Sequence, residues 1–429
     1  MKRVYNNLLQ EEYFKEVLDN GLTVVLCKRP SIKNATAMLT VKYGSLHQEF
    51  KYDGCDDIIK TPAGVAHFLE HKMFEMPNDV DACDLFAELG ADVNAYTTYE
   101  CTSYYFSTVT NFNESLELLL DFVQTPYFIE ESVEGEKKII EQEILSSYDK
   151  PGSMAYVGIL KTMFENNKVR DDIGGTVESL NQINSNTLNL CYNTFYHPAN
   201  MYLVVVGDID VDATIALIKA NQSAKDFLPY LNPQVIMQPD TDIVYKKYDS
   251  YKMDVNVANV NIGLKLDLSN QSIYDILRLS ILLDFALEEI FDYSSSTYQK
   301  WLRERIIDTS FSYNFSLGKY YSYVLLGGRA YDVDEFIRTI KNAILNIPSF
   351  EFSKDHYTTY IRSYKSYLIR KFNSVDSIAN YINDTEIDDI DIFTKLDILE
   401  KVKYEELEEI FKFIKEDSLA IYVVEPKNV

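Results

Sequence analysis

Residues 67–71 of this chain read His67-Phe68-Leu69-Glu70-His71, and the interpretation of the whole sequence depends on this stretch. The two histidines are four residues apart, which places both imidazoles on one face of an α-helix. Two imidazoles on one face can bind a metal ion together. The chain has only 5 histidines among 429 residues, so the pattern is specific, although an amphipathic helix with two incidental histidines is the alternative.

The residues around this motif predict a helix between two turns. Thr61-Pro62 has the residue types of an N-cap followed by proline at the first helical position. Pro77-Asn78 predicts that the helix ends near Met76. The other elements predicted nearby are strands at 22–27, 35–43, 92–97 and 102–109 and a long helix at 130–148.

The long helix offers carboxylates for the same metal ion. A catalytic zinc site takes three protein ligands and leaves one position open. Glu136 and Glu143 are seven residues apart and therefore lie two turns apart on one face. Ile139, Ile140 and Ile144 give the helix an apolar side for packing. From these residues alone the third ligand stays open, because an ordinary solvated carboxylate face is the alternative.

Glu70 has a different predicted role from the two histidines beside it. It lies on the same helical patch but is not expected to bind the metal ion. A carboxylate in this position can accept a proton from a metal-activated water and return it to a leaving amine. Glu70 is therefore the candidate general base.

The composition limits the classes of partner. The formal net charge is -25, so the chain repels nucleic-acid phosphates and anionic lipids, and neither is expected as a partner. The same charge attracts cationic molecules, including basic peptides, although solubility alone explains it equally well. Hydrophobic residues make up 46% and charged residues 25%, as in a globular protein with sizeable cores.

Cysteine usage and the N-terminal residues suggest a cytoplasmic location. The 5 cysteines are dispersed without a C-x-x-C pair, which argues against a disulfide framework or a cysteine zinc site. Residues 1–16 are polar and charged, unlike a signal peptide. No apolar run reaches membrane-spanning length, so no membrane partner is expected.

The order of predicted elements repeats in the two halves: strands, helix, strand pair, helices and a closing strand. The closing strands, 203–206 and 420–424, are similar. We therefore predict an internal duplication. A proline-containing stretch at 221–240 is the candidate linker. The predicted domains are a metal-binding repeat at 1–220, a linker at 221–245 and a second repeat at 246–429.

Several segments resemble the pitrilysin, insulysin and mitochondrial processing peptidase family of zinc peptidases, whose H-x-x-E-H motif is called inverzincin. Residues 60–75 resemble its metal-binding segment, and residues 88–97 its Gly-to-Asn-Ala-Tyr-Thr segment. Residues 172–176 fit another family loop, and residues 195–208 resemble the signature near the end of its first repeat. The resemblance covers most of residues 20–210.

This resemblance implies a fold and a ligand set. The implied fold is α+β, with two duplicated α/β-roll repeats, each a mainly antiparallel sheet packed with helices, that form half of a clamshell chamber. The family pattern of two glutamates seven residues apart makes Glu143 the third ligand of one zinc ion per chain, with Glu141 as the competing candidate. Glu136 would orient His67 or His71.

The resemblance also assigns a substrate-binding strand. In the family, the segment that matches Asn94, Ala95 and Tyr96 is an edge strand whose backbone pairs with extended substrate. A plain interior strand is the alternative for these residues.

The second half departs from the family pattern. Members that complete a site carry an Arg and a Tyr there. Arg303 is kept, but Phe311 has no hydroxyl group to donate and Tyr313 is out of register. The implied partner is therefore a homologous subunit that supplies the Arg and Tyr, with this chain as the zinc-bearing subunit of a heterodimer. A homodimer is the alternative.

The predicted function is that of a zinc-dependent endopeptidase that hydrolyses peptides or small unfolded substrates inside a dimeric chamber. One alternative is a non-catalytic structural subunit, like the related respiratory-complex core proteins, which typically lose the zinc motif. Another is a chaperone that binds peptides and keeps zinc without turnover.

Overall fold

The computed structural model describes residues 1–30, 32–78 and 80–427, and the contacts among them define two compact units. The first unit comprises residues 1–144, 172–236 and 367–393. The second comprises residues 145–171, 237–366 and those from 394 onwards. The units therefore interleave along the chain, whereas the predicted domains are consecutive ranges.

Up to residue 236, the strands predicted at 22–27, 35–43, 92–97 and 102–109 and the helix predicted at 130–148 are present, and several short strands that were not predicted accompany them. The strands are β1 Lys2–Asn6, β2 Glu11–Val17, β3 Thr23–Lys28, β4 Ala35–Val41, β5 Glu49–Tyr52, β6 Cys55–Lys60, β7 Glu75–Met76, β8 Val80–Asp81, β9 Ala91–Thr97, β10 Thr102–Thr108, β11 Met201–Gly207 and β12 Gln234–Val235. The α-helices are α1 Val65–Met73, α2 Ala82–Leu89, α3 Phe112–Val123, α4 Glu130–Tyr148, α5 Pro151–Met163, α6 Val177–Leu180, α7 Ser185–Phe195 and α8 Val211–Ser223.

The main sheet of the first unit has the strand order β1-β2-β3-β11-β4-β10-β9. Only β3 and β11 pair in parallel among its described strands, and the other pairs are antiparallel. β4 and β11 are buried along their whole length, as their apolar sequences predict for central strands. Phe68 of α1 and Leu119 of α3 belong to the hydrophobic core that covers this sheet.

The remaining elements follow residue 247. The strands are β13 Tyr248–Met253, β14 Ala258–Lys265, β15 Ser312–Leu317, β16 Ser322–Ala330 and β17 Leu419–Pro426. The α-helices are α9 Ile273–Phe291, α10 Ser296–Arg303, α11 Val333–Leu345, α12 Lys354–Lys371, α13 Val375–Glu386, α14 Thr394–Lys401 and α15 Glu408–Phe411. Within the described part of the chain, no helix has the length and apolar composition needed to span a membrane.

The two units contain duplicated sheets. The second sheet has the order β13-β17-β14-β16-β15, which repeats the order β3-β11-β4-β10-β9 of the first sheet. The first pair is parallel in both sheets, and the following pairs are antiparallel. The predicted α+β fold with an internal duplication is therefore confirmed.

The two units exchange one helix each: a helix from the second half of the sequence packs in the first unit, and a helix from the first half packs in the second unit. α13 packs against β4 and β11 in the first unit, and α5 packs against β14 and β17 in the second. Gly158 of α5 lies so close to the Tyr422 ring that an added Cβ would be 2.1 Å from it. α4 ends at Tyr148 as predicted, and Pro151 begins α5, where proline at N1 has no amide to leave unpaired.

The N-terminus of α1 also differs from the prediction. The helix begins at Val65 after Gly64, whose φ of 94° is in the left-handed region, and the Thr61 hydroxyl instead donates to the Gln48 carbonyl. The predicted N-cap at Thr61 is therefore wrong. The helix ends at Met73, slightly before the predicted Met76, because Glu75–Met76 forms strand β7.

Candidate metal centre

α1 presents apolar core residues on one face and the polar residues of the motif on another. Phe68 and Leu69 are fully buried in the core, which fixes the rotation of the helix. His67, Glu70 and His71 are only partly buried and lie on the remaining face. The packing of the apolar residues thus sets the direction of the three polar side chains.

The side chains of His67, His71 and Glu143 meet. The Glu143 Oε2 atom lies 3.9 Å from His67 Nε2 and 3.6 Å from His71 Nε2. All three potential ligand atoms lie within 4.8 Å of one another. Ligands of a tetrahedral zinc ion at about 2.1 Å are about 3.4 Å apart. Two imidazole nitrogens and a carboxylate oxygen at these separations fit a zinc ion.

α4 carries the carboxylate of this cluster. Ile140 and Ile144 are buried and anchor the helix, whereas Ile139, predicted to pack with them, is 54% exposed. Glu143 stays exposed at the cluster. Among the described residues Glu141, the competing ligand candidate, is not part of this group.

Glu136 makes the contact predicted for an orienting carboxylate, and it makes this contact with His71. Its Oε1 lies 2.9 Å from His71 Nδ1, which leaves Nε2 directed at the cluster. Burial alone would lower the pKa of His71, but the carboxylates of Glu136, Glu143 and Glu70 outweigh burial and raise it. Because Glu136 accepts the proton of Nδ1, it fixes the ring tautomer that offers Nε2 as a metal ligand.

His67 lies beside the loop at 172–176, since a Cβ added to Gly174 would be 3.7 Å from its Nδ1 atom. Its Nδ1 is buried and has no hydrogen-bond partner among the described residues. Burial, together with the neighbouring His71, lowers the pKa of His67 to about 4, so its ring is neutral at neutral pH and can bind a metal ion. A Cβ added to Gly64 would lie 2.6 Å from the Gly174 carbonyl oxygen. The loop at 172–176, for which no role was predicted, thus packs directly against the start of α1.

Glu70 makes a hydrogen bond that the sequence did not predict. The Thr97 hydroxyl donates to Glu70 Oε2 at 2.5 Å. Burial raises the pKa of Glu70, and the bond from Thr97 opposes part of this effect. A raised pKa suits a group that both accepts and returns a proton. Thr97 ends the segment 88–97 that resembles the family, but no role was predicted for it, because the contact joins β9 to α1.

β9 lies at the end of the strand order and pairs only with β10 among the described residues, as predicted for an edge strand. Asn94 is exposed, and Ala95 is partly buried. The Tyr96 hydroxyl accepts a hydrogen bond from Asn383 at 3.0 Å on the side of α13. Tyr96 can therefore meet a peptide through its backbone, and the pairing of all three residues with substrate stays a prediction.

The residues predicted to complete the site lie in the second unit. Arg303 is exposed in the last turn of α10. Phe311 is 5% exposed and belongs to the hydrophobic core of that unit. Tyr313 lies on β15, the strand that corresponds to β9 in the duplicated sheet. A role for Arg303 in substrate binding stays a prediction.

The turn between β9 and β10 carries a half-buried acid, Glu100, that affects stability. Burial, and then the Asp388 carboxylate, raise the pKa of Glu100 to about 7. The folded state therefore binds a proton that the unfolded state releases above about pH 4.5, so stability falls as pH rises from about 4.5 to 7.

Glu100→Gln is therefore expected to stabilise the chain by about 1–3 kcal/mol at pH 8 and much less at about pH 5. Urea unfolding of both proteins at several pH values measures the difference. A difference that does not change with pH would contradict this explanation.

Comparison with known proteins agrees with this fold. Two histidines and a glutamate with one open position are a donor set of zinc hydrolases. Residues 23–177 match the family described as "Insulinase (Peptidase family M16)", and residues 182–364 match "Peptidase M16 inactive domain". The chain belongs to the M16 peptidase family, as its resemblance to pitrilysin and insulysin indicated.

Three similar proteins illustrate the relationship. "Uncharacterized zinc protease YmfH" of Bacillus subtilis is 32% identical over 432 residues, covering 100% of both chains. An M16-like peptidase from Alicyclobacillus acidocaldarius has a crystal structure with a TM-score of 0.89 and 30% identity, covering 97% of this chain and 99% of that one. Pitrilysin has a TM-score of 0.72 and 17% identity, and the match covers 100% of this chain but 46% of pitrilysin.

Proposed function

We propose that this chain is the zinc-bearing subunit of an endopeptidase that hydrolyses peptides or small unfolded substrates. The observation that carries the proposal is the meeting of His67, His71 and Glu143 within 4.8 Å. These residues would hold one zinc ion, and the names of relatives such as the zinc protease YmfH support the choice of metal. Glu70 lies one residue before the ligand His71 and is available for proton transfer.

The chemistry is divided between the metal and the protein. When bound, zinc supplies Lewis-acid polarisation of the scissile carbonyl and lowers the pKa of water. Glu70 accepts the proton of the attacking water and then donates it to the leaving amine. Glu136 keeps the His71 ring in the orientation that directs Nε2 at the cluster.

The edge of β9 would position the substrate. The unpaired side of an edge strand offers a row of backbone donors and acceptors to an extended peptide. Asn94, Ala95 and Tyr96 lie on this strand, which ends at Thr97 beside Glu70. A peptide paired with β9 would therefore run along a strand that ends at the general base. The net charge of -25 favours basic peptides among the possible substrates.

A second subunit would supply the rest of the site. Pitrilysin has about twice the length of this chain in one polypeptide, since the match covers 46% of it. The second half of this chain matches an inactive domain and has Phe311 in place of the family tyrosine. We propose a homologous partner that carries the missing Arg and Tyr, with a homodimer as the alternative.

The partner proposal predicts that the purified chain alone cleaves peptides at least roughly 10²-fold more slowly than a mixture with its partner, because the groups that stabilise the transition state are missing. Native mass spectrometry and a fluorogenic basic peptide test this, with a homologous subunit that lacks the His pair as candidate partner. Full activity of a pure homodimer would contradict the heterodimer.

One observation favours a second candidate, a non-catalytic subunit of a larger complex. It is the match of residues 182–364 to the inactive domain type. The first half argues against this candidate, because it keeps both histidines, Glu70 and Glu143 in a cluster that fits zinc. A peptide-cleavage assay of the zinc-loaded chain with its partner subunit distinguishes the two candidates, since only a peptidase turns over substrate.

A further inference from the structure

Thr97 connects the strand proposed to receive substrate with the proposed general base. It is the last residue of β9, and its hydroxyl donates to Glu70 Oε2 at 2.5 Å. The bond spans 27 positions in the sequence and joins an edge strand to the metal-binding helix. Together with a hydrogen bond from the Thr97 backbone, it lets the position of the strand fix the position of the carboxylate.

Alternation along β9 places Thr97 on the side of α1. Val93 and Ala95 pack against the hydrophobic core that includes Phe68 of α1. Tyr96 lies on the opposite side, where its hydroxyl meets Asn383 of α13. Successive side chains of a strand alternate between faces, so Thr97 belongs to the same row as Val93 and Ala95.

The Thr97 hydroxyl proton has two possible acceptors, Glu70 Oε2 and the Thr102 oxygen. Thr102 is opposite Thr97 in the β9–β10 register, and the two hydroxyl oxygens are 3.4 Å apart. Thr102 is fully buried and donates to the Tyr43 carbonyl oxygen at 2.9 Å. The Thr102 oxygen can therefore only accept from Thr97, but the Glu70 carboxylate is the nearer and more strongly accepting group, so the Thr97 proton goes to Glu70.

We propose that Thr97 is a positioning residue that holds the Glu70 carboxylate in the orientation needed for proton transfer. The proposal rests on the function proposed for Glu70. A carboxylate without this bond can adopt other rotamers, and a small displacement of a general base slows proton transfer. The bond also ties the base to the strand that would align the scissile peptide.

The test compares Thr97→Val, which keeps the shape but removes the hydroxyl, with Thr97→Ser, which restores it. In the zinc-loaded complex with its partner, Thr97→Val is expected to lower kcat roughly 10–100-fold. KM and zinc content should stay within about twofold of wild type, because the variant changes neither the β9 backbone nor the ligands. Thr97→Ser should recover most of kcat.

Thr108→Val is the matched control, because Thr108 lies at the opposite end of the same strand pair and its hydroxyl donates to the Thr110 carbonyl oxygen at 2.6 Å. It loses a buried hydroxyl without touching Glu70, so kcat should stay near the wild-type value. Wild-type kcat in Thr97→Val, or equal losses in Thr97→Val and Thr97→Ser, would overturn the role of Thr97.

A crystal structure of Thr97→Val gives a readout that does not need activity. The Glu70 carboxylate is expected to leave its present orientation or to occupy several rotamers, while His67 and His71 stay in place. An unmoved carboxylate would overturn the proposal. A wild type that binds zinc but cleaves no peptide with its partner would instead contradict the proposed function, so the two failures are distinguishable.

Discussion

Glu70→Gln is expected to lower kcat for peptide cleavage by about 10²–10⁴-fold while zinc content stays at one ion per chain. The amide keeps the size of the side chain and can still accept the hydrogen bond from Thr97, but it cannot accept a proton from water. His67, His71 and Glu143 are unchanged, so the metal site should remain intact.

Parallel measurement of zinc and of turnover separates the role of Glu70 from metal binding. Glu88→Gln, an exposed glutamate on α2, is the matched control and should keep both zinc and activity. Turnover of Glu70→Gln at the wild-type rate would contradict the assigned base. Loss of zinc along with activity would instead assign Glu70 to the metal site.

Removal of a ligand has the second large expected effect. His71→Ala and Glu143→Ala should each reduce zinc occupancy to a small fraction of the wild-type value, because a site with two remaining protein ligands binds the ion weakly. Cleavage should fall with the zinc content. Metal analysis after dialysis against a weak chelator, followed by a peptide assay, measures both effects.

Glu141→Ala is the matched control for the third ligand. Glu141 is on the same helix as Glu143 but is outside the cluster of ligand atoms among the described residues, so its removal should leave zinc bound. Glu136→Gln should weaken zinc affinity by about 10–100-fold, because His71 loses its orienting carboxylate. Full zinc occupancy in Glu143→Ala, with loss in Glu141→Ala, would reverse the assignment.

Local sequence patterns predicted the parts of the site that depend on one helix. The four-residue spacing of His67 and His71 predicted that both rings share one helix face, whereas the choice of Glu143 as third ligand came from the family resemblance, and the structure brings the three side chains together. The duplication was predictable because strand and helix patterns recur in the same order, and the α+β fold was implied by the resemblance.

Contacts between distant segments account for what the sequence did not predict. Thr61 is a residue type typical of an N-cap, but α1 starts after Gly64, where the loop at 172–176 packs closely. The placement of α5 and α13 was missed because local periodicity identifies a helix without identifying the sheet that it covers. The bond from Thr97 to Glu70 depends on the edge position of β9 and on its register with β10.

Anomalous X-ray diffraction at the zinc absorption edge tests whether His67, His71 and Glu143 hold the metal ion. For crystals of the zinc-loaded chain, we expect one strong peak per chain, within about 2.3 Å of His67 Nε2, His71 Nε2 and a Glu143 carboxylate oxygen. The absence of a peak between these atoms, or a peak coordinated by Glu141 in place of Glu143, would contradict this ligand set.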